Sequence, residues 1–382
     1  MSGVRIRRLR AVVVALLIVG ASGVSCGGPQ PVAGSGPDSA SWTLVPQPRW
    51  RIGDASGPPQ YVLDRVFSGL VTPEGATLIG NSGTQEVRAF DSAGSFVSAT
   101  GRQGGGPGEF RGINWMARFQ GDSILVFDLR SQRFSVLTER GAFVRSFQNP
   151  ASGGPSFPLG VFPDGSVLVR VEKAYDPRSQ AGRVRDTLTL YRIAGDSAVA
   201  VRRILGADWL LYGDGMRYRS IRLPFGRTSL VAVAGDRIVH ASSDVARLHV
   251  LDDHGREVEI IDLPLRARRL ASDELSEAID EAAPDPSERG PLRREIRRVG
   301  RITAPVLTDL LVDSEMNLWV RTDPGRAGTS VKWLVVSPAG WLVGSLLLPV
   351  DWRPLDIHAD RMLVRERDAD GIERVSLRRV VK

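Results

Sequence analysis

One short frame recurs six times along this chain and constrains its fold more than any other feature: a turn residue, any residue, then three mostly apolar residues. It opens at Gly75, Asp122, Gly165, Asp236, Met316 and Asp360. Tight-turn residues precede it, as in Pro73-Glu74-Gly75, Pro163-Asp164-Gly165 and Ala234-Gly235-Asp236. Met316 stands where glycine is expected. A second frame follows most occurrences: an alternating strand, a short polar turn with glycine, and another strand. Ser92-Ala93-Gly94, Glu139-Arg140-Gly141, Asp253-His254-Gly255 and Ser337-Pro338-Ala339-Gly340 supply those turns. Each repeat is therefore four antiparallel strands, a to d, with hairpins at a–b and c–d. A sheet that small cannot bury both faces alone, but stacking six around an axis buries them. The predicted fold is all-β, a six-bladed β-propeller. An open sandwich fits less well, because six similar units are too many for it.

The repeats run approximately 63–104, 105–150, 155–206, 226–264, 304–349 and 353–382. The last ends at Lys382 without a d strand. The segment from Trp42 to Ile52 has no partner of its own and is expected to supply that strand, closing the ring and removing a free sheet edge. A small helical insertion, residues 264–304, is expected between blades 4 and 5. Ser272-Asp273-Glu274 opens one helix with Leu275 and Ile279 on one face; residues 287–299 read as a second, with Leu292, Ile296 and Val299 in a stripe. The insertion reads as a lid or docking pair, or as a solvated cap.

The first 25 residues are expected to be an address. Arg5, Arg7, Arg8 and Arg10 precede an apolar run, residues 11–20, too short to span a bilayer comfortably. Small residues lead to Cys26, the sole cysteine. Gly23-Val24-Ser25-Cys26 resembles a bacterial lipobox, with Gly23 where leucine is usual; it also fits an ordinary small-x-small cleavage site. The expectation is lipid attachment at Cys26 and a flexible tether over residues 26–41, leaving an exported domain anchored to the cell envelope and facing the periplasm or outside. Cleavage to a soluble secreted protein is the alternative.

A single cysteine excludes a disulfide framework and multi-cysteine metal sites. The net charge of +7 falls to +3, 46 basic against 43 acidic residues, once the leader is set aside. Lysine stands only at 173, 332 and 382, and the arginines are interleaved with acids. No one-signed stripe points to nucleic acid.

Thr100 to Phe110 ends in Gly106-Pro107-Gly108-Glu109-Phe110, and Ile124-Leu125-Val126-Phe127-Asp128 follows. This string resembles the NHL-type six-bladed β-propeller, as does the stretch from Asp313 to Val320. The chain is also similar to a group of uncharacterised bacterial six-bladed propeller lipoproteins. The resemblance implies fold far more than function.

Alternating strands put the a–b and c–d turns on one face and the b–c and d–a loops on the other. The long loops, 171–186, 323–331, 101–112, 205–226 and 264–304, all fall on the second, which reads as a recognition surface. Trp209, Tyr212, Arg217, Tyr218 and Arg219 in 205–226 are the candidate partner-binding residues, for a protein, peptide or glycan; alternatively Trp209 and Tyr218 pack the loop onto its own blade. No serine-nucleophile or phosphate-loop motif is present. Asn114, Asp309 and Asp356, on a strands, could form an oxygen-ligand site, but no spacing supports a metal, and channel hydrogen bonding is the preferred reading. The four histidines read as scattered. The expectation is a non-enzymatic binding module with no catalytic residues, metal or cofactor, a monomer apart from its anchor; a channel-sited metal-dependent hydrolase or lactonase is the alternative.

Overall fold

The structure is a computed structural model that describes residues 35–172, 182–213, 218–300, 302–326 and 328–382. The expected leader 1–25, Cys26 and Arg217 lie outside the described residues. The described chain is mainly strand, with two α-helices and a single 3₁₀ turn, Pro59–Tyr61.

Strands β1 (Ser35–Leu44) and β2 (Trp50–Ile52) lead the chain; β1 begins inside the segment expected as a tether. Strands β3 (Val66–Val71), β4 (Thr77–Asn81), β5 (Glu86–Phe90) and β6 (Phe96–Thr100) form the first sheet in chain order. The second holds β7 (Ile113–Arg118), β8 (Ile124–Asp128), β9 (Arg133–Leu137) and β10 (Phe143–Gln148). The third has five strands: β11 (Ser156–Val161), β12 (Val167–Glu172), β13 (Gly182–Ala194), β14 (Ser197–Gly213) and β15 (Tyr218–Arg222). The fourth holds β16 (Ser229–Ala234), β17 (Arg237–Ser242), β18 (Arg247–Leu251) and β19 (Glu257–Asp262). Helices α1 (Ser272–Ala282) and α2 (Pro286–Val299) follow. Strands β20 (Leu307–Val312), β21 (Leu318–Thr322), β22 (Ser330–Val336) and β23 (Leu342–Pro349) come next, then β24 (Arg353–His358), β25 (Arg361–Arg367) and β26 (Glu373–Val381). Strand β1 stitches these last two groups, pairing parallel with β23 and, through Thr43 and Leu44, antiparallel with β26.

Burial is graded across each sheet. Every residue of β4 and β8 is buried, whereas β6 alternates with solvent and β10 is mostly exposed. A strand buried on both faces reads as a continuous apolar run, and a half-buried one alternates. Six apolar clusters show what covers those faces: each lies between successive groups of strands, one of them between the two groups that β1 joins into a nine-stranded sheet. Leu78 and Val87 meet Met116 and Val126; Phe127 and Phe134 meet Val167 and Val169; Leu168 and Leu190 meet Ile238 and Leu251. Val239 and Leu248 meet Val320 and Leu334, and Trp319 and Trp333 meet Met362 and Val364. The last cluster joins Leu363, Val375 and Leu377 to Ile79 and Phe90 of the first sheet. The opening strands follow the same order: β3 packs on β7, β7 on β11, β11 on β16, β16 on β20, and β24 back on β3. Phe110, from the glycine-rich string, is fully buried between the first two sheets.

The amino-terminal segment reaches the last strands. Trp50, Arg51 and Ile52 pair with Leu377, Ser376 and Val375. Arg51 ion-pairs Glu366 at 2.9 Å, and Arg378 gives one N–H to the Pro46 carbonyl at 2.6 Å and another to Glu366 at 2.9 Å. Glu366 and Arg378 are themselves buried.

Candidate functional site

Residues 205–226, expected as a loop, mostly fold as a hairpin. Strand β14 runs on to Gly213, β15 returns from Tyr218, and Trp209 pairs with Arg222. The run of Leu210, Leu211 and Tyr212 is buried, and the helical insertion covers it: Leu210, Tyr212 and Leu223 share a cluster with Ile279, Leu292 and Ile296. Hairpin and helix pair thus make one platform with its own apolar core.

The platform's root is polar and closely fitted. Asp208 is buried and accepts from Arg183 Nη2 at 2.7 Å, Arg227 Nε at 3.0 Å and the Arg227 backbone N–H at 2.9 Å. Burial opposes its ionisation, but the hydrogen bonds from Arg227 and Arg183 outweigh burial and bring its pKa down to about 2. Trp209 Nε1 donates to Asp186 Oδ2 at 2.9 Å, while the Arg222 guanidinium lies 5.5 Å from the indole centre. Gly206 leaves room for Asp186: a Cβ there would lie 1.8 Å from its Oδ1.

The candidate partner-binding residues are therefore placed unequally. Trp209 is half-buried, and Tyr212 lies 7% exposed under the helices, where burial raises its phenol pKa. Arg219 is exposed and ion-pairs Glu288 of α2. Tyr218 opens β15 opposite Gly213. Arg222, which the sequence reading did not single out, stands beside Trp209 with its side chain 55% exposed.

The opening strands bring together a different set. Asp356 on β24 accepts from Arg118 at 3.0 and 2.5 Å through both carboxylate oxygens, and from the Val71 backbone N–H at 2.7 Å. Asp309 on β20 ion-pairs Arg353 at 3.2 Å and accepts from the Leu310 N–H at 3.0 Å. The Asn114 side-chain oxygen is buried without a hydrogen-bond partner. Both carboxylates are thus engaged by guanidinium groups, which is not how a hard cation's oxygen ligands are held. Among the described residues, Asp252, Asp253 and His254 are the trio whose ligand atoms lie within 4.8 Å of one another. They sit in a turn, where Asp252 holds Arg256 at 2.8 Å and Asp253 holds Arg192 at 2.5 Å.

Two histidines that read as scattered are neighbours. The pairing of β17 with β18 sets His240 opposite His249, ring centres 5.9 Å apart. They line a cleft of about 370 Å³ between the third and fourth sheets. His249 Nδ1 lies 2.6 Å from Glu257 Oε2, and His240 Nε2 lies 3.2 Å from Ser229 Oγ.

No family model matches the chain, and no curated protein matches it. Solved structures do. A putative exported protein from Bacteroides fragilis is 10% identical, with 89% of this chain and 96% of that one covered and a TM-score of 0.49. A DUF4221-family member from Bacteroides vulgatus is 12% identical, covering 90% and 100%, at 0.45. Virginiamycin B lyase from Staphylococcus aureus is 8% identical, covering 88% and 99%, at 0.42. These are propeller-type folds; at such identities and scores they say nothing of this chain's ligand or activity. No helix among the described residues is long and apolar enough to cross a membrane.

Proposed function

We propose that this chain is an exported, NHL-like six-bladed β-propeller, lipid-anchored through Cys26, that works as a non-enzymatic binding module through its long-loop face. Six apolar cores between successive strand groups, the last returning to the first sheet, support the blade count. On this reading β2 is the fourth strand of the sixth blade, β1 laces the fifth blade to it, and α1 and α2 stand between blades 4 and 5. The observation that carries the binding role is the platform: the hairpin and helix pair bury their aliphatic side chains and Tyr212 against each other and leave Trp209, Arg219 and Arg222 at its exterior. A half-buried tryptophan beside exposed arginines suits contact with a protein, peptide or glycan. The channel-hydrolase alternative has less support, because Asp356 and Asp309 are each held by arginine.

Envelope cross-linking with the anchored wild-type protein and a Trp209→Ala/Arg222→Glu variant tests the reading. Loss of the cross-linked species from the variant is expected; identical species from both would overturn the binding face. Calcium or zinc should leave the melting temperature unchanged. A rise of several degrees that disappears in Asp309→Asn would favour the hydrolase. A mature protein without acyl mass on Cys26 would remove the anchor.

A further inference from the structure

The cleft between the third and fourth sheets lies outside the platform and the opening strands, and it is built like a small-molecule site. Its floor is apolar, with Ile204 and Leu251 buried. Its volume, about 370 Å³, lies in the range of small-ligand pockets. Cationic side chains reach it from two strands of the third sheet. Arg185 on β13 donates to Ser242 Oγ at 3.0 Å, and Arg202 on β14 donates to the Gly255 carbonyl at 2.6 Å. That carbonyl is neutral, and Arg202 makes no ion pair among the described residues.

The histidines complete the wall without forming a hydrolytic triad. Ser229 gives its hydroxyl proton to the Leu205 carbonyl, so the imidazole of His240 is the donor in their contact. The carboxylate in reach, Glu257, holds His249 instead. A serine whose proton is committed to the backbone, beside a base that no carboxylate orients, lacks the parts of an activated nucleophile. The wall carries an excess of positive charge. Burial, then His249, Arg202 and Arg185, push the pKa of His240 down to about 4, against partial support from Glu257. Asp244 is the other lining acid, and it accepts from Ser242 Oγ at 2.5 Å.

We propose that this cleft binds a small organic anion, its carboxylate or phosphate group seated against Arg202 and His240 and its apolar part on Ile204 and the exposed Val245. Such a group gains charge-assisted hydrogen bonds from the guanidinium and offsets part of what burial and the neighbouring cations cost a charged imidazole.

The test is an NMR titration of the His240 ring resonances in the full chain at constant ionic strength. Inorganic phosphate and benzoate serve as probes, one for each source of the oxyanion. The expected result is a saturable response to at least one probe, with the His240 titration midpoint raised by about one unit or more, a tenfold coupling. The tighter probe identifies the head group. Arg202→Gln should weaken binding at least about tenfold, and Glu257→Gln, which removes a rim carboxylate, should strengthen it. A response linear in probe concentration, no response to either probe, or a Glu257→Gln protein that binds more weakly would overturn the proposal. If Arg202→Gln fails to fold, the Glu257→Gln comparison decides alone.

Discussion

Met316 carries a backbone φ of 63°, the left-handed region that costs an L-residue about 1–2 kcal/mol. Its N–H closes a turn on the Asp313 carbonyl, as Gly75 does on Thr72 and Gly165 on Phe162. The position plays the part of those glycines with a residue that does not suit it, and the side chain is 41% exposed, so little packing is at stake. Met316→Gly should raise unfolding stability by about 1 kcal/mol in urea, and a loss would show that the side chain packs more than its exposure suggests. Asp208 makes the opposite case, a residue held by its surroundings. Its carboxyl is depressed from about 3.9 in the unfolded chain to about 2 when folded. The stabilisation is complete above the unfolded value and is lost as pH falls from about 4 to about 2; it is on the order of 2–3 kcal/mol. Asp208→Asn should flatten the acid limb of a stability–pH profile over that window. His240 gives a slope of the same sign at higher pH: folding favours its neutral form, so stability should fall as pH drops from about 6.5 towards 4. His240→Gln should remove that slope.

At the level of elements, the helix pair was legible because its signals are local. Glu274 accepts from the Ala271 N–H at the start of α1, Asp285 caps α2, and Pro286 stands at its first position. The hairpin was not legible as such. Its aromatic and arginine residues overlie the strand pattern of Leu210, Tyr212 and Ile221, and what buries that pattern is Ile279 and Leu292, far along the chain. Leu292, on the inner face of α2, is fully buried. Leu292→Ala should cost about 3 kcal/mol and open residues 264–304 to protease before the sheets unfold. Simultaneous loss of both would mean the platform is not a separable unit.

At the scale of the whole molecule, the joining of the two ends rests on a buried ion pair as well as on strand pairing. Glu366 is held by Arg378 and Arg51, and Arg378 stands 4.2 Å over the ring of Trp352. Removing one partner of a buried pair costs up to about 3–5 kcal/mol, and here the half-exposed Arg51 would remain on Glu366 and offset part of it. Arg378→Ala should therefore destabilise the protein by up to that order and release hydrogen-exchange protection at Trp50 to Ile52. Retained protection would show that strand pairing alone closes the structure.

From its sequence alone, the chain's all-β character, the spacing of its turns and the contact between the segment around Trp50 and the final strands could be read, because turn chemistry and alternation are short-range and a repeat lacking a strand requires one from elsewhere. Tertiary structure alone decided which polar groups meet. Arg118 reaches Asp356 across sheets and His240 faces His249 across a ladder; neither distance is encoded by spacing along the chain. Electrostatic partners form where folding brings side chains within a few ångströms, and packing of the helix pair removed Tyr212 from the solvent that its place in the sequence suggested.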